Sequence, residues 1–213
     1  MPRAVTLAIA GGSGSGKTTI ARAVRAHLAP FSAALVAEDD YYRCATAIPA
    51  FDAAAHNFDA PDAKDHALLA AHLAAARAGE AFAKPVYDFA THTRTGAIET
   101  VDPHDVIILD GHLALCDPRV RASLDLAVFV EADEAVRLAR RMVRDVAERG
   151  RTPDSVYRQF FDTVRPMHAL HVAPQRDHAD LVVASTYEGD FAEAARHAET
   201  IAARVRALLA ARG

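Results

Sequence analysis

The chain has 213 residues, of which 51% are hydrophobic and 24% charged, and this composition fits one α/β domain with a sizeable core. Its net charge of -4 argues against a nucleic-acid partner, because binding to phosphate backbones needs clustered positive charge. The two cysteines are too few for a disulfide framework, and no apolar run approaches the ~18 residues of a membrane span. With no signal-peptide pattern at the N-terminus, we expect a cytoplasmic protein without a membrane partner.

The first motif is G-x-x-x-x-G-K-[ST] at residues 11–18, between a strand pattern over 5–10 and a helical pattern over 18–28. This context predicts a phosphate-binding P-loop, whose backbone N–H groups surround a triphosphate at a helix N-terminus. A flexible Gly/Ser linker is the alternative, and the complete spacing disfavours it. Lys17 can reach the β- and γ-phosphates, and the Thr18 hydroxyl can bind Mg²⁺. The predicted phosphate-binding residues are Gly11, Gly12, Ser13, Gly14, Ser15, Gly16, Lys17, Thr18 and Thr19.

A second strand pattern, over residues 33–37, ends in the acids Glu38, Asp39 and Asp40. Ligands of open parallel sheets lie beyond the carboxyl ends of the strands, which places these acids near the P-loop. A kinase of small molecules needs a base beside the acceptor hydroxyl, and we predict Asp39 for that role. A solvated acidic turn is the alternative.

The middle of the chain predicts a helix over 62–77 with Asp62 as its N-cap, and then a β-hairpin inserted at about 82–101, with strands over 84–89 and 97–101. The clearest central strand pattern covers residues 106–111 and contains Asp110, which suggests a second Mg²⁺ ligand. Further strands are predicted over 126–130 and 181–184. No Asn-Lys-x-Asp run of the kind used by GTPases for base recognition occurs.

An arginine-rich segment follows, with helices predicted from 133 to 147 and onward to about 172, separated by Gly150. A solvated, salt-bridged helix would show a similar pattern. Arginines on both sides of Gly150 favour a hinged lid over a triphosphate, at about 133–172. A last helix is predicted from Asp190 to about 211, with an apolar stripe facing the sheet. The arginines of the predicted lid segment are Arg137, Arg140, Arg141, Arg144, Arg149 and Arg151.

Aromatic side chains around the predicted hairpin have two interpretations. Tyr87, Phe89 and His92 are compatible with ordinary cross-strand packing. With Phe58 opposite, they would instead form a slot for a flat base, whose polar edge His92 can meet as donor or acceptor. The residues alone leave both interpretations open.

Several blocks together resemble the uridine kinase (uridine–cytidine kinase) family of P-loop kinases. They span about residues 5–184 in the family's order, and all except the P-loop are specific to this family and its near relatives. The matching blocks are residues 11–19, 38–42, 57–62, 85–89 with His92 and Arg94, 140–151 and 164–167.

The resemblance implies an α/β fold of the P-loop NTPase type, a parallel sheet flanked by helices, with an inserted β-hairpin and a helical Arg-rich lid in a single domain over 1–213. It implies ATP or GTP as phosphoryl donor, Mg²⁺, a small-molecule nucleoside as substrate, and a homo-oligomer, often a tetramer. It makes Asp39 the base toward the 5′-hydroxyl, assisted by Lys17 and Arg144. The implied further contacts are Arg149 and Arg151 to phosphate, Thr18 and Asp110 to Mg²⁺, Asp59 and Arg141 to the ribose hydroxyls with Tyr42 nearby, Tyr87 and His92 to the pyrimidine edge, Phe58 and Phe89 around the ring, and Gln159 on the nucleoside side.

The chain departs from the family pattern at three places. Asp110-Gly111-His112 stands where the family usually has Glu-Gly and an aliphatic residue, so the acid is one methylene shorter and His112 is polar near the expected base. The usual Arg-Gly-Gly after the last strand is replaced by residues 185–189, and Asp40 adds charge beside Asp39.

The resulting hypothesis is transfer of the γ-phosphoryl group to the 5′-hydroxyl of uridine or cytidine, giving UMP or CMP in pyrimidine salvage. One alternative keeps the fold but changes the acceptor to another nucleoside, ribulose 5-phosphate or pantothenate. The other is a nucleotide-binding regulator without catalysis, which would have no need of an acceptor pocket.

Overall fold

The computed structural model describes residues 3–52, 56–186 and 191–212. Five strands form a parallel sheet, and two more form a separate antiparallel hairpin, which confirms the predicted sheet and hairpin. Most predicted strand bounds agree with the observed ones within one residue, whereas the hairpin strands begin two and four residues earlier. The strands are β1 (Val5–Gly11), β2 (Ala33–Ala37), β3 (Phe82–Asp88), β4 (Thr93–Val101), β5 (Val106–Gly111), β6 (Leu126–Glu131) and β7 (Leu181–Ala184).

The sheet has the order β2-β5-β1-β6-β7, so β1 lies at its centre between β5 and β6. All seven residues of β1 are buried, because helices cover both faces of the parallel sheet. Leu7 and Ile9 belong to the apolar core on one face, and Ala8 and Ala10 to the core on the other. The carboxyl ends of β1, β2 and β5 therefore meet at one edge, where the candidate site lies.

Seven α-helices are described. On one face, α1 packs with α7 against β1, and on the other α2 contributes Leu69 and Leu73 to the core. The last helix begins at Phe191, while its predicted start at Asp190, with residues 187–189, lies outside the described residues. The helices are α1 (Lys17–His27), α2 (His66–Arg77), α3 (Pro118–Arg121), α4 (Glu134–Arg149), α5 (Pro153–Gln159), α6 (Arg165–Met167) and α7 (Phe191–Ala210).

The predicted start of the second helix is wrong. The cap of α2 is Asp65, whose carboxylate accepts a hydrogen bond from the Leu68 N–H at 3.1 Å, and not Asp62. Residues 61–63 form a separate 3₁₀ turn. The Ala63 carbonyl accepts from Arg43 N–H at 2.9 Å, and Asp65 N–H donates to the Tyr41 carbonyl at 2.8 Å. These bonds hold the segment in extended pairing with the loop after β2, so the helix begins only afterwards.

The arginine-rich segment consists of α4 and a second helical stretch, as predicted. Gly150 ends α4 with a left-handed φ of 62°, a conformation that favours glycine. Helical structure continues from Pro153 to Val172 with π-type turns at Phe160–Val164 and His168–Val172, and ends in a 3₁₀ helix, Ala173–His178. None of the helices within the described ranges has the length and apolar character needed to cross a membrane.

Candidate active site

The P-loop connects β1 to α1 and is held closely by α4. Gly14 has a φ of 81°, and a Cβ there would collide with the Arg137 carbonyl oxygen. Gly16 precedes α1 with a φ of 90°, so its left-handed conformation directs the chain into the helix. Ser15 Oγ is buried without a hydrogen-bond partner among the described residues. The loop therefore brings together backbone N–H groups, a helix N-terminus and Lys17, which is the chemistry that a triphosphate requires.

Thr18 and Asp110 meet at the adjoining ends of α1 and β5. Thr18 Oγ1 donates a hydrogen bond to Asp110 Oδ2 at 2.6 Å, although the two residues are far apart in sequence. Asp110 Oδ1 is buried and has no hydrogen-bond partner among the described residues. Burial raises the pKa of Asp110, against the opposing effects of Lys17 and the Thr18 hydrogen bond. A hydroxyl beside a carboxylate with a free oxygen fits a divalent cation with oxygen ligands, such as Mg²⁺.

Asp39 lies in the 3₁₀ turn Glu38–Tyr41 that directly follows β2. Its Oδ1 is 2.6 Å from the ammonium of Lys64, which is fully buried, while 45% of the Asp39 side chain is exposed. Burial of the carboxylate would raise its pKa, but the charge and hydrogen bond of Lys64, with the charge of Lys17, outweigh this and hold the pKa well below its usual range. Asp39 is therefore an ionised carboxylate with access to solvent, as a proton acceptor must be.

Glu38 is fully buried and anchors this turn to the sheet. Its carboxylate bonds to His66 Nε2 at 3.0 Å and accepts from the Leu113 N–H at 3.0 Å. Burial raises its pKa, but the His66 hydrogen bond and the charge of Lys64 prevail, and the pKa falls to about 2. A Cβ on Gly111 would collide with the Glu38 side chain. The three acids are thus not a solvated turn, since Asp40 is also paired, with Lys84 at 2.5 Å.

Ligand atoms of Glu38, Asp39 and His112 all lie within 4.8 Å of one another, which is the spacing of a cation site. Lys64 already places its ammonium on Asp39, and Glu38 is bonded to His66. Positive charge and hydrogen-bond donors therefore occupy these carboxylates, and the Thr18–Asp110 pair is the better candidate for Mg²⁺.

The predicted aromatic residues do come together. Tyr42 packs against Phe58, Tyr87 and Phe89 with centroid separations of 5.8, 5.3 and 6.4 Å. Phe58 and His92 stack directly at 4.8 Å, whereas a base between two rings would separate them by about 7 Å. The cluster thus forms one wall of a site, with Phe58 and His92 in mutual contact. The buried Tyr87 hydroxyl has no hydrogen-bond partner among the described residues.

Asp59 lies near His112, whereas Arg141 and Gln159 contact each other. Asp59 Oδ1 is 4.0 Å from His112 Nε2. Arg141 donates to Ser13 Oγ of the P-loop at 2.7 Å and to Gln159 Oε1 at 2.9 Å. The structure thus links Gln159 and Arg141 to the P-loop, while His112 lies between Asp39 and Asp59.

Arg144, Arg149 and Arg151 of the predicted lid contact polar side chains of the lid itself. Arg144 Nη2 is 2.7 Å and Arg149 Nε 3.6 Å from Oδ1 of Asp145, which is fully buried. Arg151 donates to the side chains of Gln159 and Ser155. Arg144 and Arg149 thus share Asp145, and Arg151 shares Gln159 with Arg141.

Sequence reasoning missed three residues of this site. Lys64 and His66 follow the recognised 57–62 block, and Asp145 is one acid among several on α4. A signal existed only for Asp145, which lies four residues after Arg141 and four before Arg149. Arg140, noted only as one of the arginine run, binds the Ser15 carbonyl at 3.3 Å and Ser185 Oγ at 2.9 Å.

Comparison with known proteins finds relatives in sequence and, at lower identity, structures with a similar fold. The model of the phosphoribulokinase / uridine kinase family matches residues 6–192. A uridine kinase of Brevibacillus brevis is 43% identical over 183 residues, which are 86% of each chain.

Two solved structures show the same fold. D-glycerate 3-kinase from Cryptococcus neoformans has a TM-score of 0.67 at 16% identity, over 89% of this chain and 88% of that one. Phosphoribulokinase from Rhodobacter spheroides has a TM-score of 0.58 at 16% identity, over 85% and 70%. These identities support the fold alone, whereas the sequence matches go further: the chain belongs to the phosphoribulokinase / uridine kinase family.

Proposed function

We propose that this protein transfers the γ-phosphoryl group of ATP or GTP to the 5′-hydroxyl of uridine or cytidine. The observation that carries the proposal is the half-exposed, ionised Asp39 beside the P-loop, whose Lys17 lies close enough to lower its pKa. The nucleoside assignment is supported by the 43% identity to a protein named uridine kinase.

Asp39 would act as the base. Its carboxylate accepts the proton of the 5′-hydroxyl as the 5′-oxygen attacks the γ-phosphorus. The bond between the γ-phosphorus and the bridging β–γ oxygen breaks, and ADP or GDP leaves. Lys64 fixes the position of one carboxylate oxygen through their 2.6 Å contact. Because the transition state is loose, positioning and electrostatic stabilisation supply most of the catalysis, and a weakly basic carboxylate is sufficient.

The P-loop would bind the phosphates through its backbone N–H groups, with Lys17 on the β- and γ-phosphates. Thr18 and Asp110 would hold Mg²⁺, directly or through water, and the ion would supply charge neutralisation on the phosphate oxygens. The lid arginines Arg144, Arg149 and Arg151 would reach phosphate by exchanging their present carboxylate and amide partners for it.

The acceptor pocket is acidic and aromatic, which favours a neutral nucleoside over a phosphorylated sugar. Asp39 and Asp59 flank His112, and the buried Lys64 is already paired with Asp39. A sugar phosphate would need additional free cationic groups. In our proposal Asp59 and Arg141 bind the ribose hydroxyls, with Tyr42 nearby. Tyr87 and His92 contact the polar edge of the pyrimidine, and Phe58 and Phe89 enclose its ring. Gln159 lies on the nucleoside side of the site.

ATP consumption with Mg²⁺ tests this proposal against uridine, cytidine, other nucleosides, ribulose 5-phosphate and pantothenate. We expect turnover of uridine and cytidine, and a loss of at least ~10²-fold in kcat for Asp39→Asn while ATP binding persists. A folded, ATP-binding protein that leaves both pyrimidine nucleosides unchanged would refute the assignment.

We also propose, from the family resemblance, a single catalytic domain, a cytoplasmic location and a homotetramer. The free thiols of Cys44 and Cys116 are compatible with a reducing compartment. Light scattering coupled to size-exclusion chromatography tests the assembly, and a monomeric mass at micromolar concentration would contradict it.

A further inference from the structure

His112 directly follows β5 and occupies the space between the two carboxylates of the acceptor pocket. Only 8% of the residue is exposed. Its Nδ1 is 3.7 Å from Glu38 Oε2 and 3.9 Å from Asp39 Oδ1, and its Nε2 is 4.0 Å from Asp59 Oδ1. The imidazole therefore lies between Asp39, the proposed catalytic base, and Asp59.

The neighbours of the ring determine which nitrogen carries the proton. Nδ1 faces two ionised carboxylates, and an ionised carboxylate can only accept hydrogen bonds. A neutral imidazole therefore has its proton on Nδ1, where the two negative charges stabilise it. Nε2 is then an acceptor, and it faces Asp59, which is an acceptor as well.

Nε2 is buried and has no hydrogen-bond partner among the residues that the structure describes. Its 4.0 Å separation from Asp59 Oδ1 is too long for a direct bond, and two acceptors would not form one. A buried acceptor without a donor is rare in folded proteins, which points to a partner supplied from outside the chain.

A hydroxyl has the chemistry that this gap requires. For an oxygen about 2.8 Å from both acceptors, the acceptor–oxygen–acceptor angle would be about 90°. The single proton of that hydroxyl can form a hydrogen bond with only one of the two acceptors. Two neighbouring hydroxyls, such as those of a ribose, supply one proton to each acceptor. An aliphatic side chain in place of His112 would leave the second hydroxyl without this acceptor.

We propose that His112 Nε2 accepts a hydrogen bond from one ribose hydroxyl of the acceptor while Asp59 accepts from its neighbour. His112 is thereby a specificity-determining residue for the sugar. This inference rests on the proposed function, because it assumes a nucleoside in the pocket.

The test measures kcat/KM, and binding affinity by calorimetry, for uridine, 2′-deoxyuridine and 3′-deoxyuridine. The proteins are the wild type, His112→Leu, which removes the acceptor, and His112→Gln, which retains a polar group. Phe58→Leu serves as a control, because it alters a ring contact in the same pocket and leaves the sugar acceptors in place.

We expect His112→Leu to lower both kcat/KM and the binding affinity for uridine by about tenfold. For the deoxynucleoside that lacks the bonded hydroxyl, the same substitution should lower them by less than about twofold. His112→Gln should restore part of the discrimination, and Phe58→Leu should weaken all three nucleosides equally. Equal losses for all three nucleosides in His112→Leu, or no loss with uridine, would overturn the inference.

The binding data separate this inference from the proposed function. A wild type that binds uridine without turning it over refutes the kinase assignment, while the affinities still decide the role of His112. A wild type that binds none of the three nucleosides refutes both.

Discussion

Replacing Asp39 by asparagine changes the stability as well as the chemistry, because Asp39 is the carboxylate paired with a fully buried lysine. The substitution keeps the shape of the side chain but leaves the Lys64 ammonium, 2.6 Å away, without its negative partner. Lys64 Nζ also lies 3.3 Å from the centroid of the Tyr42 ring and 3.5 Å from the Glu38 carbonyl oxygen, and these contacts remain.

Breaking a buried ion pair costs roughly 3–5 kcal/mol. Since 45% of the Asp39 side chain is exposed, solvent screens part of this interaction, and we expect a loss of about 2 kcal/mol in the free energy of unfolding. For a chain of this size that loss lowers the midpoint of thermal unfolding by roughly 4–8 °C.

Urea unfolding and uridine-dependent ATP consumption are measured for four proteins: the wild type, Asp39→Asn, Lys64→Met and the double variant. Removing both charges should return the stability to within about 1 kcal/mol of the wild type, because a buried pair and an apolar replacement are often equivalent. Turnover of the double variant should remain at least ~10²-fold reduced, since the proposed base is still absent. An Asp39→Asn protein as stable as the wild type, or a double variant with restored turnover, would refute the reasoning.

The remaining predictions concern the metal, the phosphate loop and pH. Asp110→Asn should raise the Mg²⁺ concentration for half-maximal activity by roughly tenfold, and an unchanged Mg²⁺ titration would exclude Asp110 as a ligand. Gly14→Ala should weaken ATP binding in calorimetry and cost about 1–3 kcal/mol of stability, because a Cβ meets the Arg137 carbonyl at a φ of 81°; wild-type values would contradict this. Burial raises the pKa of Glu38, but the His66 hydrogen bond and the charge of Lys64 together outweigh it, so the folded-state pKa of about 2 lies below the ordinary 4.5. The resulting stabilisation, roughly 3 kcal/mol, is present above pH 4.5 and is lost as the pH falls toward 2. In urea unfolding, the loss of stability in acid should be smaller by about this amount in Glu38→Gln than in the wild type, and equal losses in the two proteins would contradict the reasoning.

The sequence predicted the sheet well because each buried strand is a short apolar run followed by a loop. The P-loop, Asp39 and Asp110 were located in the same way, since the carboxyl ends of β1, β2 and β5 meet at one edge. The hairpin followed from its alternation of residue types, although its strands are longer than predicted.

The pairing of charges at the site could not be predicted from the sequence. Lys64 reaches Asp39, and His66 reaches Glu38, only because residues 63–65 pair with the loop after β2. That pairing is a tertiary contact and leaves no periodic pattern, so it also displaced the predicted cap from Asp62 to Asp65. The family pattern located His112 near the pyrimidine of the substrate, whereas the structure places its imidazole between Asp39 and Asp59.

One arginine on α4 connects the two halves of the reaction. Arg141 donates to Ser13 of the P-loop, and its proposed role is to bind the ribose of the acceptor. If occupancy of the loop by phosphate frees this guanidinium from Ser13, then each substrate increases the affinity for the other by the same factor, as thermodynamic linkage requires. The P-loop would then report donor occupancy directly to the acceptor pocket, so that the nucleoside binds most tightly to the enzyme that already holds its phosphoryl donor.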